Sequence, residues 1–284
     1  MWHRFILSAL LLISSIGAFA QDEDPGLWVY NSTQPGETVT VLADTAYLRD
    51  QPATTGKIVR TLTAGARLTF LEDAAAQQIR GFKTKWARVR INENGSATEA
   101  YIWKGLLAIG AYSREGKRFL FGIDRCIPDK DKDMPGTYFA KAMVIDSVTN
   151  VVAARRWQLL SNESLSFCEG KVLGPMGLDS LQQIFRICFS GEACGIPTNY
   201  YYFGWTGTGL LALPGKAEVG DADVYYYTER LFFPSEKGGQ PGKIVKTIEE
   251  EEVLEETDKN GNSKSKITHS REVFRWDGKV AVKE

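Results

Sequence analysis

Apolar residues along most of this chain recur at every second position in short runs cut by Gly, Pro, Asn and Asp, the pattern of half-buried strands joined by turns. The clearest block spans residues 39–108. Val39, Val41, Ala46 and Leu48 alternate with polar residues until Arg49-Asp50-Gln51-Pro52 breaks the run. Ile58, Leu62, Leu68 and Phe70 follow, divided at Thr63-Ala64-Gly65, and two further runs cover Trp86 to Ile91 and Ala100 to Trp103. Such runs predict a small meander or barrel. Two polar stretches interrupt the block. Asp73 to Lys85 reads as a lengthened loop, and Asn92 to Glu99 reads as the turn region of a hairpin because Asn94-Gly95 suits a tight two-residue connection.

Beyond Ala108, Gly110 to Arg118 is short, polar and matches neither the strand nor the helix period, which marks it as a domain boundary. Phe119-Leu120-Phe121-Gly122-Ile123 opens the next unit, and residues 139–145 and 151–154 read as a hairpin around Asp146 to Asn150. Leu181 to Phe189 fits either a helical stripe or a strand, and a strand beside Asn199 to Trp205 is preferred. Leu210 to Leu213 and Val224 to Phe233 carry further strand patterns. Lys243 to Glu256 and Lys264 to Val273 flank Asn260-Gly261, and a two-residue turn there sets Glu255 against Lys266, Leu254 against Ile267, Glu250 against Arg271 and Ile248 against Val273. The rival for part of that segment is an acidic helix over residues 249–256. Phe203-x-Trp205-x-Gly207 before Leu210 is echoed by Phe274-x-Trp276-x-Gly278 before Val280, which suggests two similar hairpins.

A length of 284 residues favours two domains, and 32 aromatic residues, 14 Phe, 11 Tyr and 7 Trp, tilt them towards strands. The net charge of −1 supplies no footprint for nucleic acid or an anionic membrane. Residues 1–20 have the form of a secretory signal: one basic residue, Arg4, then an apolar run from Phe5 to Ile16, then Ala18-Phe19-Ala20. The mature chain is expected to be periplasmic or extracellular, without a membrane span, and residues 21–38 to form a tether anchored at Leu27-Trp28-Val29-Tyr30. In an oxidising compartment Cys126, Cys168, Cys188 and Cys194 invite disulfides, Cys188 with Cys194 and Cys126 with Cys168 being the favoured pairing of three.

The opening Ala46-Tyr47-Leu48-Arg49-Asp50-Gln51-Pro52, the middle from Ile58 to Phe70, the Trp86 strand and the closing Ala100-Tyr101-Ile102 resemble, in order, the motifs of the bacterial SH3-like (SH3b) family. The resemblance covers residues 39–108 and implies a small SH3-like barrel with a habit of binding. The fold expected is therefore all-β: that barrel followed by a larger antiparallel β-rich domain over residues 119–284. Tyr47, Arg49, Trp86, Tyr101 and Trp103 are the candidate ligand contacts, aromatics with an Arg to pair a carboxylate; the rival reading of Trp86, just before Val89, is core, and Tyr101 and Trp103 share one strand face, so both are core or both are surface.

Catalysis finds little support. The only His outside the leader is His269, and neither a Gly-x-Ser-x-Gly elbow nor His-Glu-x-x-His occurs. No cofactor or metal site is expected; Asp129, Asp131 and Asp133 alternate as in a calcium loop but lack its Gly and its final acid. The reading is an exported, non-catalytic protein whose module binds cell-wall peptide or an envelope protein. The alternatives are an envelope hydrolase using paired carboxylates such as Asp221 and Asp223, and a structural surface or assembly protein.

Overall fold

The computed structural model describes residues 26–93, 95–131, 134, 136–161, 164–191, 193–222, 224–257 and 263–284. The signal-like leader, Asp133, Asp223 and Asn260-Gly261 lie outside them. Within them the fold is all-β, and two 3₁₀ turns, Trp28–Tyr30 and Lys104–Leu106, are the helical elements.

The first sheet holds β1 (Thr38–Thr40), β2 (Thr45–Arg49), β3 (Ile58–Thr63), β4 (Arg67–Ile79), β5 (Phe82–Glu93) and β6 (Ser96–Trp103) in the order β1-β4-β5-β6-β2-β3. It encloses a core in which Val41, Ala46, Leu48, Phe70, Val89 and Ile102 are all buried, the inward set of the period-2 runs. Glu93 pairs with Ser96 and Gly95 has φ 79°; Asn94, the other residue of the expected Asn94-Gly95 turn, lies outside the described residues. The stretch read as a lengthened loop, Asp73 to Lys85, is instead a ribbon: β4 and β5 run on past the barrel and turn at Arg80-Gly81. Bulges between Phe70 and Glu72 and between Asp73 and Ala76 bend it.

The second sheet comprises β7 (Gly110–Arg114), β8 (Lys117–Ile127), β9 (Thr137–Ile145) and β10 (Val151–Gln158) in the order β10-β9-β8-β7. The expected boundary at Gly110 to Arg118 is thus a hairpin, its polar residues belonging to a tight turn with Glu115 and Gly116 at positive φ. The third sheet is an eight-stranded meander, β11 (Phe167–Leu173), β12 (Gln183–Ser190), β13 (Thr198–Trp205), β14 (Leu210–Asp221), β15 (Tyr225–Phe232), β16 (Lys243–Thr257), β17 (Ser263–Trp276) and β18 (Ala281–Lys283). Both echoed motifs are hairpins, Trp205 facing Leu210 and Trp276 facing Ala281.

Residues 249–256 are strand, yet the register differs from the expected one. Glu252 faces Lys266, Glu251 faces Ile267, Ile248 faces Ser270 and Val245 faces Val273. An irregularity between Val253 and Thr257 absorbs the offset. The register is anchored at the far end, where buried Ile244 pairs with Phe274 and Trp276 joins the same apolar cluster, so burial outweighs the charge matches nearer the turn.

The four-stranded sheet is the middle layer. Leu120, Met143 and Ile145 project from one face onto Leu42 and Ala64 of the barrel. Phe119, Phe121, Ala142 and Val144 project from the other onto Phe185, Ile187 and Phe189 of β12. Burial on both faces explains why Phe119 to Ile123 of β8 and Ala142 to Ile145 of β9 read as unbroken apolar runs. Each fully buried Phe contributes roughly 1.5–3 kcal/mol. The tether is fastened to the same assembly: the Ile123 amide donates to the Tyr30 hydroxyl at 3.2 Å, and the Leu27 amide donates to the Lys83 carbonyl at 3.0 Å.

All four cysteines are free, which corrects the expected disulfides. Cys168 faces Phe189 and Glu169 faces Cys188 across β11 and β12, so pleat alternation sends the two thiols to opposite faces. Cys126 is buried, and Cys194 is exposed beyond the end of β12.

Candidate functional site

The pleat of β6 divides its side chains between two surroundings. Ala100 and Ile102 enter the barrel core, while Tyr101 and Trp103 lie on the opposite face, beside their register partners Arg88 and Trp86 of β5. Arg49 of β2 sits directly opposite Tyr101, and Tyr47, two residues earlier, shares its face. All five expected ligand contacts therefore lie on one outer face, but half of that face is closed.

At the closed end Trp86 and Trp103 are 2% and 1% exposed. The β4–β5 ribbon covers them and satisfies their ring N–H groups. Trp86 Nε1 donates to Gln77 Oε1 at 2.9 Å, and Trp103 Nε1 donates to the Gln77 and Thr84 carbonyls at 3.0 and 3.2 Å. The Phe82 ring lies 4.8 Å from that of Trp103. Both tryptophans are core, which removes them from the candidate ligand contacts. Their polar handles are used inside the fold.

The open end keeps the other three. Tyr47 is 41% exposed, and Arg49 and Tyr101 are half-buried. Arg49 Nη1 donates to the Gly56 carbonyl at 2.5 Å and its guanidinium stands 5.9 Å from the Tyr47 ring centroid. One anchoring bond leaves most of its five donors for a ligand carboxylate. The border is self-paired: Arg88 binds Glu72 at 2.8 Å and Glu99 at 2.6 Å, and Arg90 binds Glu99 at 2.8 Å. The Arg90 hydrogen bond, reinforced by Arg88, holds the Glu99 carboxyl below the usual carboxylate range.

A second concavity, of about 580 Å³, lies at the seam between barrel and middle sheet. Ala43, Asp44 and Thr45 form its barrel wall, Arg80 comes from the ribbon tip, Asp124, Arg125 and Cys126 from β8, Lys141 from β9 and Arg156 from β10. Lys141, 2% exposed at its side chain, donates to Asp44 Oδ1 at 2.7 Å and to the Leu42 carbonyl at 3.3 Å. The Lys141 hydrogen bond holds the Asp44 carboxyl below its ordinary range. Burial pushes the Cys126 thiol up, so it stays protonated at neutral pH and is a poor nucleophile. None of these charged residues stood out in the sequence as a site. The one legible signal was Lys141 inside the apolar run Phe139 to Ile145, since a lysine is rarely buried without a partner.

The remaining candidates are scattered. Asp221 ends β14 opposite Tyr225, and its proposed partner Asp223 lies outside the described residues. Asp129 accepts the Asp131 amide at 3.0 Å in a local turn. His269 is exposed on β17, 3.6 Å from Glu249. Among the described residues no group of three or more His, Cys, Asp and Glu is placed to hold a metal ion. No helix among them is long and apolar enough to cross a membrane.

Residues 44–108 match the family model of the bacterial SH3 domain. The match begins just before β2 and ends beyond β6, so it takes in Tyr47, Arg49 and Tyr101 and leaves the middle and eight-stranded sheets outside. No curated protein and no solved structure matches the chain.

Proposed function

We propose that this chain is an exported, non-catalytic binding protein whose bacterial SH3-like module engages an extended peptide, that of the cell wall or of an envelope protein. The observation that carries the reading is the open half of the module's outer face, where Tyr47, Arg49 and Tyr101 stand side by side. Two aromatic rings offer flat apolar contact at little entropic cost, and Arg49, which has no carboxylate partner among the described residues, offers a fork for a peptide carboxylate. Export is supported by the signal-like sequence of residues 1–20.

The test is retention on purified peptidoglycan. The full chain without its leader is expected to be retained, and Tyr47→Ala with Tyr101→Ala is expected to release it while leaving the melting temperature within a few degrees. Retention of the double variant equal to that of the parent removes this face from the reading, and no retention of either removes the wall as ligand. In the second case cross-linking in envelope extract, compared between parent and double variant, tests an envelope-protein peptide.

A further inference from the structure

We propose that the cleft at the seam between barrel and middle sheet is a binding site for a small anion, a carboxylate or a phosphate group. The proposal is independent of the peptide-binding face. Three local devices converge on the cleft.

The ribbon turns at Arg80 and Gly81, with φ 54° and 84°, and its tip is held against β8 by the Cys126 amide donating to the Arg80 carbonyl at 2.9 Å. That contact admits only glycine at 81, since a methyl there would sit 1.9 Å from the Cys126 carbonyl oxygen. Arg80, a non-glycine residue in left-handed backbone, is thereby fixed at the rim. A β-bulge between Ile123 and Arg125 breaks the alternation of β8, and neighbouring Asp124 and Arg125 meet at 3.1 Å instead of pointing apart. The Arg125 guanidinium lies 4.6 Å from the Phe139 ring centroid, a cation–π contact that steadies it. Finally, Lys141 brings a charge to the floor of the cleft from a buried strand.

The charges do not balance. Asp44 is shared by Lys141 at 2.7 Å and Arg156 at 3.2 Å, and Asp124 is shared by Arg156 at 3.2 Å and Arg125 at 3.1 Å. Arg80 has no carboxylate partner among the described residues. Four cations thus face two carboxylates in a chain whose net charge is −1. Ion pairs that only fasten two layers have no need of the surplus; an anion lodged between Arg80 and Arg125 matches it and gains charge-assisted hydrogen bonds from both. The cleft lies between two structural units, where ligand sites are common, and its volume accommodates a small organic acid or phosphate ester.

Isothermal titration calorimetry at low ionic strength, with inorganic phosphate and with succinate in separate runs, tests this. Saturable binding of at least one probe is expected; the probe that binds identifies the chemical source. Arg80→Gln should weaken it about tenfold, the loss of one charge-assisted hydrogen bond, and Arg80→Gln with Arg125→Gln should abolish it. Arg80 is exposed and makes no ion pair with a described residue, so the single variant reports on the site even if the double variant is less stable. No heat with either probe, or unchanged affinity in Arg80→Gln, overturns the proposal. Retention on peptidoglycan should not change in Arg80→Gln, which keeps a failure here distinct from a failure of the peptide-binding face.

Discussion

Replacing Gly81 by Ala probes the contact on which both the covered tryptophans and the seam depend. Two costs are expected. An L-residue at φ 84° costs about 1–2 kcal/mol relative to glycine. The new methyl also meets the Cys126 carbonyl at 1.9 Å, so the tip must lift and the amide–carbonyl bond from Cys126 to Arg80, 2.9 Å long, is lost at about 1 kcal/mol more. Gly116→Ala is the matched control. It occupies the second position of a similar turn, at φ 72°, but a methyl there meets nothing within 4 Å. Urea unfolding should show Gly81→Ala losing about 2–3 kcal/mol and Gly116→Ala only the conformational 1–2 kcal/mol. The lifted tip should also let water reach Trp103, red-shifting the tryptophan emission of Gly81→Ala alone. Equal losses in the two variants, with identical emission, would refute the claim that the ribbon tip is docked on β8.

Trp103→Ala should cost about 3–5 kcal/mol in urea unfolding, because it empties a fully buried site and leaves the Gln77 and Thr84 carbonyls short of a donor. Lys104→Met should change stability by less than about 1 kcal/mol or raise it: the buried ammonium sits 5.0 Å from the Phe70 ring centroid, and Asp73 keeps Lys85 at 3.2 Å as a partner. For Asp44 the folded-state acidity is raised by Lys141, so its stabilisation is complete above its unfolded pKa of about 4 and is lost as pH falls through the lower folded value. Thermal melts between pH 7 and pH 2 should therefore decline more steeply for the parent than for Asp44→Asn, by under about 1 kcal/mol because that side chain is largely exposed. A thiol-reactive dye should label Cys194 fast in the native protein and reach all four cysteines only in denaturant.

Strand positions were legible because each run carries its own period, and the all-β reading follows from that local signal. What a period cannot give is the identity of the covering layer. The two-residue period puts Tyr101 and Trp103 on one face of β6 without saying what covers it, and the ribbon that covers Trp86 and Trp103 read as a loop: Asp73 to Lys85 is mostly polar, and a ribbon held by backbone ladders needs few apolar residues. The charge-matched register for β16 and β17 failed for a related reason. Surface ion pairs are worth a few tenths of a kcal/mol, whereas seating Ile244, Phe274 and Trp276 in one cluster is worth several, so the remote apolar end sets the alignment. The seam was invisible because its charges come from five separate segments, and one of them is aimed by a bulge that no alternation rule predicts.

The middle sheet also decides how the SH3-like module is held. With the barrel packed on one of its faces and the eight-stranded sheet on the other, the SH3-like module is not a bead on a flexible linker. Lys141 to Asp44, Arg156 to Asp44, and Arg118 to the Gly65 carbonyl at 3.0 Å add polar ties across the same seam. A ligand touching both walls must then favour the docked arrangement, since separating the walls would cost its contacts. At a hundredfold excess over its Kd, such a ligand adds about 2.7 kcal/mol to the docked state. Anion occupancy at the seam would therefore favour contact between the barrel and the middle sheet, away from the outer face that carries Tyr47, Arg49 and Tyr101. The linkage is reciprocal: any partner that pries the barrel from the middle sheet must weaken the anion by the same factor.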